Sequence, residues 1–343
     1  MNKEGYGVFN FNGETGDLNR GLLRAKSHHC LFDRKMVIQE RFLPLNVVLL
    51  HTPVIFLQPA PPTLAITSPG KHSESVLVGK SRRTYDLYVP TALKKGGPLP
   101  VIVFLHGVTG NAASIASSLE ISKVAEREGI LAVVPNGSGN LSGWNAGWID
   151  LTGQGSDDVA FIGKLLDVTE ANFRVDPRRI FIVGHSNGAF LANLVAARLS
   201  NRIAAIASVA GTIGGNVNDK VRTIPDPISP VSILLIHGKL DPIVSYDGTV
   251  RAMLVGVSAP NSARWWGEKI GAGRTTESVL FDGKATLRRY LGGRNGTEVA
   301  LLTIANGTHD FPGSLQRGGV RESASGVDGM AEILKFFRDH PKK

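Results

Sequence analysis

The chain is poor in the residues that build disulfides and metal sites. Its 343 residues include one cysteine, Cys30, so no disulfide can form within one molecule. Neither a cysteine pair nor a His-Glu-x-x-His sequence is present to hold zinc, and no metal or other cofactor is expected. Long basic runs are missing as well. The net charge is +9, but the basic residues fall in scattered short pairs, Arg82-Arg83, Arg178-Arg179 and Arg288-Arg289, with no nucleic-acid motif beside them. A solvated basic surface is expected, and no nucleic-acid partner. The apolar stretch from Phe42 to Leu57 is broken by Pro44, His51 and Pro53, which argues against a stable membrane span. Nothing in the pattern specifies an oligomeric state.

What remains is the composition of a protein with a large core: 42% hydrophobic residues, 20% charged residues and 40 glycines. Residues 1–75 read as an N-terminal extension and 76–343 as one catalytic domain. Met1 to Glu40 is polar and lacks periodicity. If translation starts at Met36, Arg41, the apolar stretch and Thr63-Leu64-Ala65 supply the charged flank, core and cleavage site of a signal peptide over about 36–65. The expected location is then secreted or periplasmic, and otherwise cytoplasmic. Cys30 would leave with such a leader and says nothing of redox compartment.

From there on, short apolar strands alternate with helical patterns. Strands are expected at Val76–Val78, Thr84–Val89, Val101–Leu105, Leu131–Val134, Ile180–Val183, Ile203–Val209, Ile233–Ile236 and Val299–Ile304. Helices are expected at Ala112–Arg127, Asp157–Asn172, Asn187–Leu199 and Val327–Asp339. This is the signature of an α/β fold, a mainly parallel central sheet with helices on both faces. The adjacent Asp157 and Asp158 suit the first turn of their helix better than a metal or acid–base pair. Val217 to Ser229 reads as a loop.

The sharpest motif is Gly184-His185-Ser186-Asn187-Gly188, between the apolar run Ile180–Val183 and the helical run from Ala189. A serine there sits on a tight strand-to-helix turn with its hydroxyl exposed, and the flanking glycines remove side chains that would clash. Two further residues follow in order, each just past a strand: Asp241 in His237-Gly238-Lys239-Leu240-Asp241-Pro242, and His309 in Asn306-Gly307-Thr308-His309-Asp310-Phe311-Pro312-Gly313. A serine hydroxyl is a weak nucleophile until an imidazole takes its proton, and the imidazole needs a carboxylate to hold its tautomer and stabilise its charged form. Singly, Asp241 reads equally well as a turn cap and His309 as a surface loop residue; their joint order favours the triad Ser186, Asp241, His309.

Upstream, Val101–Leu105 runs into His106-Gly107-Val108-Thr109-Gly110. The backbone amides of Val108 and Asn187 are the expected oxyanion donors. His106, His185 and His237 read as histidines that support loops by hydrogen bonds. Trp144 and Phe311 are candidates for lining a substrate pocket, with ordinary core packing as the competing reading. Trp265 and Trp266 read as packing residues.

The segment Val175–Ala189 resembles the nucleophile region of the polyhydroxybutyrate depolymerase family, which includes feruloyl and acetylxylan esterases. Leu105-His106-Gly107, Trp144-Asn145-Ala146-Gly147, Asp157–Ile162, Ile236–Val244 and His309–Gly313 match in the same order, over roughly Ser81 to Asp339. The chain departs from that family in having Phe311 where tryptophan is common and in lacking paired cysteines. The resemblance implies an α/β-hydrolase fold and a serine carboxylic-ester hydrolase acting through an acyl-enzyme. Its partner would be an ester substrate, small or polymeric: a polyhydroxybutyrate-like polyester or feruloyl and acetyl esters of plant cell walls. The alternatives are a peptidase or acyltransferase using the same triad, or a noncatalytic polysaccharide- or polyester-binding module.

Overall fold

The structure, a computed structural model, describes residue 66 and residues 68–249, 256–315 and 325–343. The expected leader at 36–65 lies outside the described residues. Twelve strands and six helices follow in the described chain. Ten strands form one sheet: β1 (Gly70–Val78), β2 (Ser81–Val89), β3 (Leu99–Leu105), β4 (Leu131–Pro135), β5 (Val175–His185), β6 (Ala205–Val209), β9 (Ser232–Gly238), β10 (Arg274–Leu280), β11 (Ala285–Leu291) and β12 (Val299–Ile304). Their spatial order is β1-β2-β4-β3-β5-β6-β9-β12-β11-β10. The six central strands, β4 to β12 in that order, are parallel, and the flanking pairs are antiparallel.

The β3 sequence Val-Ile-Val-Phe-Leu is apolar throughout because both faces of the sheet are covered. Val101, Val103 and Leu105 enter the core under α3 (Asp158–Asn172), α4 (Asn187–Arg198) and α5 (Ala259–Ile270). Ile102 and Phe104 enter the opposite core under α1 (Ala112–Ser118), α2 (Ile121–Glu128) and α6 (Gly329–Asp339). On β5 the same alternation stacks Phe181 on Phe337 of α6, with ring centroids 4.4 Å apart. Each such buried side chain contributes roughly 1.5–3 kcal/mol of transfer free energy.

Several elements differ from the sequence expectation. The first strand begins at Gly70, inside the stretch assigned to the extension. The single helix expected over Ala112–Arg127 is broken at Glu120, whose backbone is left-handed (φ 50, ψ 43). Helix α5 and strands β10 and β11 were not expected; β10 is an exposed edge strand rich in Arg, Thr, Ser and Glu, so it lacks the alternation that marks a half-buried strand. Within the expected loop Val217–Ser229 lies half of a small hairpin, β7 (Gly214–Val217) with β8 (Lys220–Thr223), turned by Asn218 and Asp219, both at positive φ.

One of the scattered basic residues is not on the surface. Arg83 of β2 is buried, its Nη1 lies 2.7 Å from Asp158 Oδ1, and its guanidinium lies over the Phe161 ring at 4.2 Å. Asp157, not Asp158, caps α3 by accepting from the Ala160 amide. Burial pushes the Asp158 carboxyl above its usual range, and the Arg83 charge opposes that push. Replacing Asp158 by Asn strands a buried guanidinium, so urea unfolding is expected to show a loss of about 3 kcal/mol. The double variant Arg83→Met with Asp158→Leu should recover most of it; an Asp158→Asn protein as stable as wild type would contradict the pair's structural role.

Candidate active site

The turn from β5 into α4 holds Ser186 at φ 56 and ψ −121, a backbone region costing a non-glycine residue of order 1–3 kcal/mol. The strain is held by neighbours. The Ser186 amide donates to the Val209 carbonyl at 2.9 Å, and its carbonyl accepts from Ala189 and Phe190 in the first turn of α4. Gly188 is required sterically, because a Cβ there would fall on the carbonyl oxygen of Leu105 at the end of β3. The helix thus packs directly on the neighbouring strand, and the serine hydroxyl is left at the carboxyl edge of the sheet.

Strands β9 and β12 are parallel neighbours, so the loops that leave their carboxyl ends emerge side by side. Their backbones touch: a Cβ on Gly238 would fall on the Gly307 carbonyl, and the Leu240 amide donates to that same carbonyl at 3.0 Å. This brings Asp241 to His309. Asp241 Oδ1 accepts from the amides of Ile243 and Val244 at 2.8 and 2.9 Å, while Oδ2 lies 2.8 Å from His309 Nδ1. His309 Nε2 lies 2.8 Å from Ser186 Oγ. The three candidate residues, far apart in sequence, form one hydrogen-bonded line. Burial would raise the Asp241 carboxyl, but hydrogen bonds from His237, His309 and the Val244 amide outweigh it and hold the group well below the usual carboxylate range. The carboxylate therefore stays charged beneath the imidazole, an arrangement that lets the imidazole accept a proton from the serine.

The three other histidines each tie one loop. His185 Nε2 donates to the His309 carbonyl at 2.8 Å; burial, reinforced by the neighbouring His309, pushes its pKa down to about 4, so it remains an uncharged donor beside the base. His237 Nε2 donates to the Val244 carbonyl at 3.0 Å. His106 accepts the Gly137 amide at Nε2 (2.9 Å), which places its proton on Nδ1, and Nδ1 donates to the Gly107 carbonyl at 2.7 Å. Burial lowers the His106 pKa, consistent with this neutral form.

That last bond bears on the oxyanion donors. The Gly107 carbonyl also accepts from the Gly110 amide at 3.1 Å. A trans peptide is planar, so pinning this carbonyl fixes the Val108 N–H in the opposite direction. Gly107 lies against the serine, since a Cβ there would be 3.3 Å from Ser186 Cβ. Among the described residues, neither the Val108 nor the Asn187 amide donates a hydrogen bond. Two free N–H groups beside a serine can stabilise an oxygen that becomes negative.

An open cleft of about 900 Å³ exposes Ser186 and His309. Its apolar walls are Ile115, Leu119, Ile243, Phe311 and Leu315, and Ser117 and Ser118 add hydroxyls. Phe311 thus lines the cleft, its ring tilted across that of His185 with centroids 6.1 Å apart. The wall residues on α1 carried no sequence motif and were not anticipated. Trp144 corrects the expectation of a pocket residue: it is fully buried and absent from the cleft wall. Its indole N–H donates to the His106 carbonyl at 2.8 Å, and its backbone amide donates to Asn187 Oδ1 at 2.7 Å. A buried indole N–H needs an acceptor, and the loop backbone supplies it. No cluster of His, Cys, Asp or Glu suited to a metal ion occurs among the described residues, and no helix among them is long and apolar enough to cross a membrane.

The change Trp144→Phe keeps an aromatic ring but leaves the His106 carbonyl without its donor. Steady-state kinetics on a soluble ester are expected to show kcat reduced about ten-fold, the equivalent of ~1.4 kcal/mol, with KM within about two-fold of wild type. A change confined to KM would return Trp144 to the pocket wall.

Similarity to known proteins agrees with this geometry. NocK of Nocardia uniformis subsp. tsuyamanensis, whose name is that of an esterase, is 27% identical over 269 residues, covering 70% of this chain and 74% of that one. Feruloyl esterase B of Piromyces equi is 26% identical over 217 residues, 61% of this chain but 39% of the longer relative. The acetyl xylan esterase of Aspergillus awamori shares the fold, with a TM-score of 0.52 at 13% identity over 78% of this chain and 99% of that one. Residues 83–252, which hold the serine turn and Asp241, match the family model described as Esterase PHB depolymerase, on the α/β-hydrolase fold that the solved esterase shares.

Proposed function

We propose that the chain hydrolyses carboxylic esters through an acyl-enzyme on Ser186. The observation that carries this reading is the unbroken line from Ser186 Oγ to His309 Nε2 and from His309 Nδ1 to Asp241 Oδ2, each step 2.8 Å. In the first half-reaction Ser186 Oγ attacks the ester carbonyl as its proton passes to His309. The amides of Val108 and Asn187 hold the oxyanion, and Asp241 stabilises the imidazolium. Collapse of the tetrahedral intermediate breaks the bond to the alcohol oxygen, which takes the proton from His309. Water, deprotonated by the same imidazole, then attacks the acyl-enzyme, and Ser186 recovers its proton as the acid departs.

The substrate we infer is a polyester of the polyhydroxybutyrate kind or a feruloyl or acetyl ester of plant cell walls. An open cleft with apolar and hydroxyl-bearing walls can admit a segment of a long chain, and feruloyl and acetyl xylan esterases are among the similar proteins. A polymer too large to enter a cell would call for export, in keeping with the apolar stretch at 42–57. The test is hydrolysis of short p-nitrophenyl esters, a feruloyl ester, acetylated xylan and polyhydroxybutyrate by the wild type and by Ser186→Ala. The variant is expected to lose at least about 10³-fold in kcat/KM on every ester that the wild type cleaves. Full activity in Ser186→Ala would remove the assignment, and activity on the aryl esters alone would remove the polymer substrate.

A further inference from the structure

The proton line from Ser186 to Asp241 uses one of the four histidines that crowd the site, His309, and the one behind the carboxylate sits where it can act on the reaction. His237 is the penultimate residue of β9 and is almost completely buried. Its Nε2 bears the proton, because its partner at 3.0 Å, the Val244 carbonyl, can only accept. The same edge lies 3.4 Å from Asp241 Oδ2, the oxygen that faces His309. Nδ1, buried on the far side of the ring, has no hydrogen-bond partner among the described residues. The ring is held edge to face against Tyr246 (5.8 Å), whose hydroxyl pairs with Thr303 Oγ1 of β12 at 2.9 Å.

We propose that His237 is a positioning residue for the acid: its single N–H, shared between the Val244 carbonyl and Asp241 Oδ2, sets both the place of the carboxylate and the negative charge it presents to His309. The place follows from connectivity. His237 fixes the carbonyl of Val244, and the amide of the same residue fixes Asp241 Oδ1. The charge follows from electrostatics, since a donor on Oδ2 draws electron density from the oxygen that binds the imidazole. The depressed pKa of Asp241 agrees with a second donor beyond His309. Other titratable groups around the pair among the described residues are Tyr246 behind His237, His185 with its ring 5.3 Å from that of His309, and exposed Asp310 next to His309. None of these reaches Asp241 Oδ2 by a hydrogen bond.

The proposal rests on His309 being the base of the proposed ester hydrolysis, and it is tested by the acid limb of the kcat/KM profile. In His237→Leu the donor is gone, Oδ2 presents more negative charge, and the imidazolium is favoured. The acid limb is then expected to move to higher pH by about half a unit. His237→Gln, whose side-chain amide can donate from a similar position, should keep the wild-type limb. An unmoved limb in the Leu variant, a shift to lower pH, or equal shifts in both variants would overturn the proposal. Should the Leu variant not fold, nitrogen NMR of ring-labelled wild type decides independently: a protonated Nε2 with a bare Nδ1 at His237 is required, and the opposite tautomer overturns it. Absence of esterase activity in the wild type would instead refute the proposed function, and the tautomer would still be readable.

Discussion

Close backbone approach is the constraint on which the site depends. At the carboxyl ends of β3, β5, β9 and β12 the backbones meet at two points that leave no room for a side chain. Gly188 lets the serine helix lie on the Leu105 carbonyl, and Gly238 lets the Asp241 loop lie on the Gly307 carbonyl. Hydrogen bonds then lock what the glycines permit. Leu240 is tied to Gly307, His185 to the His309 carbonyl, and Trp144 to both the His106 carbonyl and the Asn187 side chain. Any one of these loops could hold its residue alone, but the 2.8 Å steps between residues exist only when all are in place.

Much of the polar support is buried, and burial sets its protonation. His185 and His106 are driven toward their neutral forms by desolvation, so they serve as directional donors and acceptors without placing positive charge beside His309. Asp241 is the opposite case. It is buried too, yet donors on both oxygens keep it charged where the chemistry requires a negative charge. A second buried carboxylate, Asp158, is neutralised by Arg83 and accepts from the Asn145 amide, beside the Trp144 that donates to the His106 carbonyl. The ion pair on β2 and α3 therefore anchors the segment that holds the two free amides.

The parallel strands and the chain order of Ser186, Asp241 and His309 were legible because their physics is local. A strand covered on both faces is apolar throughout, and the loop after it carries its candidate residue within a few positions. β12 was read to its true ends for that reason. Strand β10 was missed because an exposed edge can be polar, and the Asn218-Asp219 turn was read as a loop because its flanking strands lack alternation. The role of Trp144 was misread, since an aromatic residue in a glycine-rich loop looks the same whether its ring faces a cleft or a neighbouring carbonyl. Arg83 looked like a surface charge for a similar reason: its partner lies at a helix start far along the chain, and only the fold brings them together.

The most direct measurement is stoichiometric reaction of the wild-type protein with a fluorophosphonate, followed by intact mass and peptide mapping. One phosphonyl group per molecule on Ser186 is expected, with labelling abolished by unfolding in urea. An unlabelled protein, or a label on any other residue, would contradict an activated serine at the meeting point of these loops.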